Sequence, residues 1–246
     1  MSKTLILIPS RMSATRLPGK PLLKINGISI ISHVYKKAVE SKIGEVYVAT
    51  EDKEILDDVI LNGGKGVITS NKHKTGTDRI FEAYKNLKIR NIDYILNLQG
   101  DEPVIDCNDI INLNNQIVSN NLDMGTLASK ISEEYKYLDE NIVKVKAKEE
   151  LKENNVIKAD NFYRKLIIKN NKNIYHHIGI YLYKVSILEK ITSLKQTNNE
   201  KNQKLEQLRA LENNIDINLV LAKSSPIGID TEEDYKKIKN LLEKKN

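Results

Sequence analysis

The first hundred residues alternate short apolar runs with segments of helical periodicity, and this feature restricts the fold more than any other. The order of strand, helix, strand, helix, strand, helix, strand is expected of a parallel sheet whose faces are covered by crossover helices. The predicted strands are Thr4–Ile8, Glu45–Ala49, Gly66–Thr69 and Tyr94–Leu98. The pattern therefore predicts an α/β fold with a Rossmann-like, mostly parallel sheet and flanking helices.

Three helices are predicted between those strands. The first spans Ser29–Ser41, and the second spans Lys53–Leu61 and ends at Asn-Gly-Gly, a common signal for a helix C-terminus. The third follows Gly76-Thr77 and carries an apolar stripe that begins at Ile80. Each predicted strand is thus separated from the next by one crossover helix.

The second half of the chain is less regular and predicts a sub-domain of antiparallel strands. Residues Thr192–Lys204 show no apolar periodicity, which indicates a loop or a helix lead-in, and a short amphipathic helix follows at 205–214. A strand near Ile217–Ala222 and a helix starting at Thr231, with Asp234 in its first turn, are predicted to close the chain. The strand-like segments of this half are Leu127–Ile131, Ile142–Ala147 and Gly179–Tyr183.

Composition narrows the class of protein. With 246 residues and 40% hydrophobic content the chain can bury a sizeable core, and we expect one domain over 1–246 because no linker or repeat interrupts it. The single cysteine, Cys107, rules out an internal disulfide and suits a reducing cytoplasm. No apolar run is long enough for a signal sequence or a membrane span, so we expect a cytoplasmic protein without a membrane partner.

The formal net charge of +6 leaves two classes of partner open, nucleic acids and anionic small molecules. Lysines are dispersed along the chain, and there are no tryptophans and only two phenylalanines to stack on bases. A basic nucleic-acid-binding protein is therefore the weaker hypothesis, and we expect no nucleic-acid partner.

The strongest local signal is the basic loop that directly follows the first predicted strand, Pro9–Pro21. Open α/β sheets bind ligands at the carboxyl ends of their strands. Arg11, Arg16 and Lys20 supply charge-assisted donors, and small residues between them let backbone amides approach phosphate oxygens. The loop is neither a Walker loop nor a dinucleotide fingerprint, and the alternative is a plain basic surface loop.

A carboxylate follows the last predicted strand, in the run Gln99-Gly100-Asp101-Glu102-Pro103. Strand order places Asp101 at the same sheet edge as the basic loop. One or two carboxylates with substrate phosphates suffice for Mg²⁺, so Asp101 is a candidate ligand. The structural alternative is that Asp101 and Glu102 only form a turn. Asp230 lies before the last helix, and its position taken by itself indicates a cap or turn residue.

Seven blocks spread over the chain resemble those of the acidic-sugar cytidylyltransferases, and the last two are typical of the branch that acts on 3-deoxy-manno-octulosonate (KDO). Together they extend from the first strand to the C-terminal helix. The blocks are RMSATRLPGKPL (Arg11–Leu22), HKTGTDR (His73–Arg79), NLQGDEP (Asn97–Pro103), NIVKV (Asn141–Val145), HHIGIY (His176–Tyr181), LEQLRALEN (Leu205–Asn213) and GIDTEEDY (Gly228–Tyr235).

The resemblance implies a nucleotide-diphospho-sugar transferase-like fold and a reaction. The anomeric hydroxyl of KDO would attack the α-phosphorus of CTP, giving CMP-KDO and pyrophosphate for lipopolysaccharide biosynthesis, with Mg²⁺ held by Asp101 and Asp230. Arg11 and Lys20 would complete the catalytic group. The residues implied to bind CTP are Pro9, Arg11, Arg16, Lys20, Thr69, Thr77, Arg79 and Gln99.

The resemblance also implies a sugar site and a homodimer. About 1–125 would bind CTP, about 126–215 would bind the sugar and form the dimer, and 216–246 would return to the sheet. The Asn/Lys-rich stretch after Arg164 and the stretch before Glu206 differ from the family pattern, so 8-amino-KDO or a nonulosonic acid stay open as acceptors. The implied sugar-binding residues are Arg164, His177, Tyr181, Glu206 and Gln207.

Thr77 and Arg79 each have a structural alternative. Thr77 stands where a helix N-cap is expected, and Arg79 could pair with Asp101 or Glu102. His177 could equally be a buried histidine of a strand. A binding regulator without catalysis is a further alternative, which the presence of both Asp101 and Asp230 disfavours.

Overall fold

The computed structural model describes residues 2–13, 16–165 and 172–244. Its strands are β1 (Thr4–Ser10), β2 (Lys24–Ile25), β3 (Ile28–Ser29), β4 (Gly44–Thr50), β5 (Gly66–Ile68), β6 (Tyr94–Asn97), β7 (Met124–Ser129), β8 (Lys144–Ala147), β9 (Val156–Tyr163), β10 (Ile174–Lys184) and β11 (Asn218–Leu221). Its α-helices are α1 (Ile30–Glu40), α2 (Lys53–Leu61), α3 (Gly76–Leu87), α4 (Cys107–Ser119), α5 (Tyr135–Leu138), α6 (Val185–Ser193), α7 (Asn198–Gln203), α8 (Gln207–Glu212) and α9 (Glu232–Glu243).

Nine of these strands form one sheet in the order β5-β4-β1-β6-β10-β7-β11-β9-β8. β1 runs parallel to β4 and β6, and β4 runs parallel to β5, which confirms the predicted parallel sheet of the first hundred residues. The second half joins through β10, which is antiparallel to β6, β7 and β8. The antiparallel addition expected there is confirmed too, although β11 pairs with β7 in parallel.

Apolar side chains cover both faces of the central strands because helices pack on both sides. On β1, Leu5 and Leu7 face one core, while Ile6 and Ile8 face the other, and all four are fully buried. The core of Leu5 and Leu7 also receives Ile80 of α3. Helices α1, α2 and α4 contribute to the opposite core. Alternating strand geometry therefore explains the continuous apolar run of β1.

The second half differs from the sequence-based prediction in several elements. The predicted strand Gly179–Tyr183 is the end of the eleven-residue β10, and neither α4 nor β9 was predicted. Residues Thr192–Lys204 contain α7, which starts with a capping box formed by Thr197 and Glu200. This helix is stabilised by its capping box and by the buried ion pair of Glu200 with Arg209, and it has no apolar stripe. A search for apolar periodicity therefore does not detect it.

The C-terminal prediction is confirmed: α9 follows the cap Thr231, whose side chain forms a capping box with Asp234. Over the described part of the chain, no helix combines the length and the apolar character needed to cross a bilayer.

Candidate active site

The basic loop after β1 folds back against the sheet edge. The Met12 N–H donates to Asp52 Oδ2 at 2.8 Å. Gly19 has a φ of 68°, a left-handed conformation that suits glycine, and Lys20 starts a short 3-10 helix directly after it. Leu17 is buried in a small apolar cluster with Ile229. These contacts hold Lys20 toward the carboxyl ends of the strands; Ala14 and Thr15 of this loop lie outside the described residues.

The end of β6 passes very close to the end of β1. A Cβ atom on Gly100 would stand 3.0 Å from the Pro9 carbonyl oxygen and 3.1 Å from Ile31 Cδ1, so glycine permits this approach. Gln99 is oriented by its side-chain amide, which donates to the Gly179 carbonyl at 3.2 Å. Asp101 therefore leaves the sheet beside the basic loop, as strand order predicted.

Lys20 lies between the two predicted metal ligands. Its Nζ atom is 2.7 Å from Asp101 Oδ2 and 3.2 Å from Asp230 Oδ1, and Arg16 approaches Asp230 Oδ2 at 2.9 Å. Burial alone would lower the pKa of Lys20, but the two carboxylates outweigh it and raise this pKa above its usual 10.5. Two carboxylates 129 positions apart in sequence thus converge on one cation.

The segment between β11 and α9 delivers Asp230 to this point. Its Ile229 N–H donates to the Asp101 carbonyl oxygen at 2.9 Å, and the Ile229 side chain is fully buried. Asp230 is then followed by the capping box of α9. Its placement depends on both the chain contact to Asp101 and the helix start.

A cleft of about 370 Å³ opens at this edge of the sheet. Among its lining residues are His73 and Lys74, which sequence analysis did not assign although they belong to the block HKTGTDR. A short contact with Glu82 orients the His73 ring. The predicted site residues that line the cleft are Pro9, Arg11, Arg16, Lys20, Arg79, Gln99, Asp101, Glu206 and Asp230.

Arg79 pairs with neither Asp101 nor Glu102, so that interpretation is wrong. Its guanidinium forms an ion pair with Glu51 and donates to Thr69 Oγ1 at 2.7 Å. Arg79 is 3% exposed yet lines the cleft, whereas Thr69 lies behind it and is absent from the lining. Glu51 directly follows β4, and α3, which carries Arg79, packs against β1, β4 and β5.

Thr77 is also not the helix cap. Thr75 caps α3 by accepting from the Asp78 N–H, while Thr77 Oγ1 donates to Glu206 Oε2 at 2.6 Å. This bond holds Glu206 at the cleft wall. Burial raises the pKa of Glu206, and the hydrogen bonds from Thr77 oppose that shift.

The other predicted sugar-binding residues are not among those that line the cleft. His177 and Tyr181 are 7% exposed, with ring centroids 5.4 Å apart. The Tyr181 hydroxyl and the Gln207 side-chain nitrogen are buried, and neither has a hydrogen-bond partner among the residues that the structure describes. Arg164 donates to the carbonyl oxygens of Gln203 at 2.8 Å, Glu140 at 3.3 Å and Lys204 at 3.4 Å. The connection 166–171, which also differs from the family pattern, lies outside the described residues.

The Tyr181 hydroxyl and the Gln207 side-chain nitrogen are two donors with which a ligand would gain a hydrogen bond. A buried polar group without a partner costs about 1–3 kcal/mol, so a ligand that reached it would gain a hydrogen bond at little further desolvation. Glu206, next to Gln207 in the chain, lines the cleft.

The burial of His177 predicts that the free energy of unfolding is smaller in acid. Burial lowers its pKa from 6.5 to about 3. Between those values the unfolded chain binds a proton that the folded chain does not, so the free energy of unfolding falls as pH drops below 6.5. At pH 5 the loss is about 2 kcal/mol for this group. Denaturant titrations at pH 7 and pH 5 should show a smaller loss in His177→Asn than in the unsubstituted protein; equal losses would contradict a buried neutral histidine.

The carboxylate pair meets the requirements of Mg²⁺. Within 2–13, 16–165 and 172–244, no three His, Cys, Asp or Glu side chains gather into a metal-binding cluster. Mg²⁺ keeps several waters and takes one or two carboxylates plus substrate phosphates, so a larger cluster is not required. Asp101 and Asp230 already converge on a cation, the Lys20 ammonium, and their donor set fits the metal.

The fold of this chain is also found in a solved nucleotide-sugar enzyme. The chain superimposes on an apo UDP-glucose pyrophosphorylase with a TM-score of 0.76, covering 100% of this chain and 99% of that one. At 16% identity this likeness shows the shared fold.

Comparison of the sequence gives the family. A cytidylyltransferase family model matches residues 5–217, so the chain belongs to the cytidylyltransferase family. It is 41% identical over 240 residues to the 3-deoxy-manno-octulosonate cytidylyltransferase of Rhodopseudomonas palustris strain BisB5, covering 97% of each protein. It is also similar to a CMP:2-keto-3-deoxy-manno-octonic acid synthetase solved in complex with CTP, at 33% identity, a TM-score of 0.89 and full coverage of both chains.

Proposed function

We propose that this cytidylyltransferase transfers CMP from CTP to the anomeric hydroxyl of KDO and releases pyrophosphate. The observation that carries the proposal is the convergence of Asp101, Asp230 and Lys20 in a cleft whose other wall is basic. The curated relative named above supports the acceptor, because it is a 3-deoxy-manno-octulosonate cytidylyltransferase and the match covers 97% of its length.

The side chains act by binding and orientation. Arg11, Arg16 and Lys20 would offer positive charge to the triphosphate and to the departing pyrophosphate, and Gln99 lines the same cleft. In-line displacement at phosphorus depends mainly on such positioning, and no covalent intermediate with the protein is required. Mg²⁺ held by Asp101 and Asp230 would supply charge neutralisation at the phosphate and activation of the attacking hydroxyl.

Lys20 has two roles that exclude each other. In the described structure its ammonium neutralises Asp101 and Asp230, and the side chain is only 13% exposed. A triphosphate would draw Lys20 away and free both carboxylates. We therefore propose that, without nucleotide, Lys20 competes with divalent cations for this pair.

Lys20→Met tests both roles. Removing one charge-assisted hydrogen bond should raise the KM for CTP by about 10- to 100-fold. The same change should strengthen the binding of Mn²⁺ to the nucleotide-free protein, measured by electron paramagnetic resonance. Lys24→Met, at an exposed lysine of β2, is the matched control. An unchanged KM together with unchanged Mn²⁺ binding would contradict this account of Lys20.

The acceptor is tested by a substrate panel. We would measure pyrophosphate release with CTP, UTP and ATP, each crossed with KDO, 8-amino-KDO and N-acetylneuraminate. Turnover confined to CTP and KDO is expected. Turnover of CTP with another acid would replace KDO by that acceptor and keep the chemistry, whereas turnover with no pair would refute the proposed enzyme activity.

The cellular setting and the assembly are also proposals. A product used in lipopolysaccharide biosynthesis would be made in the cytoplasm. A homodimer through the second half is supported by two large apolar side chains on α5, Tyr135 and Leu138, which are 61% and 76% exposed. A sedimentation mass of one chain at micromolar concentration would contradict the dimer.

A further inference from the structure

A buried carboxylate outside the cleft holds the segment that carries Asp230. Asp109, in the first turn of α4, is only 1% exposed. Its Oδ1 atom accepts from the Lys223 N–H at 2.9 Å, and its Oδ2 atom accepts from the Ser224 N–H at 3.1 Å and from Ser224 Oγ at 2.5 Å. A buried carboxylate is costly unless it is paired or hydrogen-bonded, and here both oxygens are used by one short segment.

That segment, residues 222–231, connects β11 to α9. Its first bond is to the sheet, where the Ala222 N–H donates to the Ala128 carbonyl oxygen at 2.9 Å. Asp109 then holds Lys223 and Ser224, so it determines the direction in which the segment leaves the sheet. Further bonds follow from Ser225 Oγ to His176 Nδ1 at 2.8 Å, from the Ile229 N–H to the Asp101 carbonyl, and from the Asp230 and Thr231 N–H groups to Asp234 Oδ2.

We propose that Asp109 is a positioning residue that, together with the Ile229–Asp101 bond and the cap of α9, sets the place of Asp230 relative to Asp101. The inference rests on the proposed function, since it assigns Asp230 to the metal of that reaction. Asp109 itself does not line the cleft, and it acts through the backbone of the segment. Small displacements matter at such a site, because a shift of about 1 Å in a reacting group can cost about 10²-fold in rate.

Asp109→Asn tests the proposal with almost no change in shape. An amide keeps one acceptor oxygen and presents a donor in place of the other, so one backbone bond, from the Lys223 N–H or from the Ser224 N–H, is lost, while the Ser224 hydroxyl can bond to either group. The matched control is Asp106→Asn in the same turn: Asp106 caps α4 through the Asn108 N–H at 2.8 Å, and asparagine caps a helix as well as aspartate. Both variants remove one negative charge from the same helix end.

Three quantities are measured on the full chain. In Asp109→Asn, kcat should fall by about 10- to 100-fold with little change in the KM for CTP, because the phosphate loop is not touched. The affinity for Mn²⁺ in the presence of CTP, followed by electron paramagnetic resonance, should weaken by about 3- to 10-fold. Amide hydrogen exchange should accelerate at Lys223 and Ser224. Asp106→Asn should match the unsubstituted protein in all three.

The outcomes separate this inference from the proposed function. Faster exchange at Lys223 and Ser224 with unchanged Mn²⁺ affinity and kcat would make Asp109 merely structural and overturn the proposal. Weaker Mn²⁺ binding in Asp109→Asn would support it even if the unsubstituted protein failed to use KDO, in which case only the proposed acceptor would fall.

A milder variant, Ser224→Ala, tests the proposal if Asp109→Asn does not fold. Ser224→Ala removes the hydroxyl bond to Asp109 and leaves both backbone bonds. If Asp109→Asn does not fold, Ser224→Ala should weaken Mn²⁺ binding by about twofold or more, as expected from the loss of roughly 0.5–1.5 kcal/mol in one hydrogen bond. Mn²⁺ binding equal to that of the unsubstituted protein would then overturn the proposal.

Discussion

Asp101→Asn is expected to lower kcat by about 10²- to 10³-fold, and Asp230→Asn by a similar factor, with little change in melting temperature. Each substitution removes a negative oxygen from the pair that would hold the metal. The fold should survive because both side chains lie in loops and are partly exposed, and because Lys20 keeps one carboxylate partner in either variant. Steady-state pyrophosphate release with CTP and KDO measures kcat.

The control for charge is Asp57→Asn, at an exposed position on α2. It makes the same chemical change far from the cleft and should leave kcat within twofold. Near-normal turnover in either Asp101→Asn or Asp230→Asn would refute the metal assignment, while loss of turnover accompanied by unfolding would refute the claim that these carboxylates serve the site rather than the fold.

Arg209→Met is expected to lower the free energy of unfolding by about 3–5 kcal/mol, which is the usual cost of leaving one partner of a buried ion pair alone. Arg209 of α8 and Glu200 of α7 are each 3% exposed, and Arg209 Nε donates to Glu200 Oε2 at 2.9 Å. The substitution would leave the Glu200 carboxylate buried without its cation. Urea titration at pH 7 measures the loss.

A double variant separates the ion pair from packing. Arg209→Met combined with Glu200→Leu removes both charges and should be more stable than Arg209→Met alone, since an apolar replacement of a buried pair is often neutral. The exposed pair Lys158–Asp216 is the control, and Lys158→Met should cost less than about 1 kcal/mol. If the double variant is no more stable than Arg209→Met, the unpaired Glu200 carboxylate is not the cause of the instability of Arg209→Met.

The sheet and the core of the site could be predicted because local patterns determine them. The alternation of strands and helices places the carboxyl ends of β1, β4 and β6 at one edge of the sheet. Lys20 and Asp101 were therefore expected to lie close together. Motif position alone does not bring Asp230 there. That prediction came from the resemblance, and the structure brings Asp230 beside Asp101 and Lys20 through Ile229 and the cap of α9.

The remaining parts depend on contacts that sequence spacing does not reveal. Arg79 of α3 meets Glu51 at the end of β4, a pairing that depends on how α3 packs against the sheet. The helix α7 is specified by its caps and by Arg209, so a search for apolar periodicity finds a loop. Asp109 lies 114 positions before Lys223, and nothing in either local sequence indicates their hydrogen bond.

In the proposed reaction the α-phosphorus of CTP is transferred to an acidic sugar. The most direct measurement is incubation of the protein with Mg²⁺, KDO and CTP labelled at the α-phosphorus, followed by separation of the products. Label in a single CMP-KDO product, with an equal amount of unlabelled pyrophosphate, is the predicted result. Label that stays in CTP, or appears as free CMP whether or not KDO is present, would contradict the account.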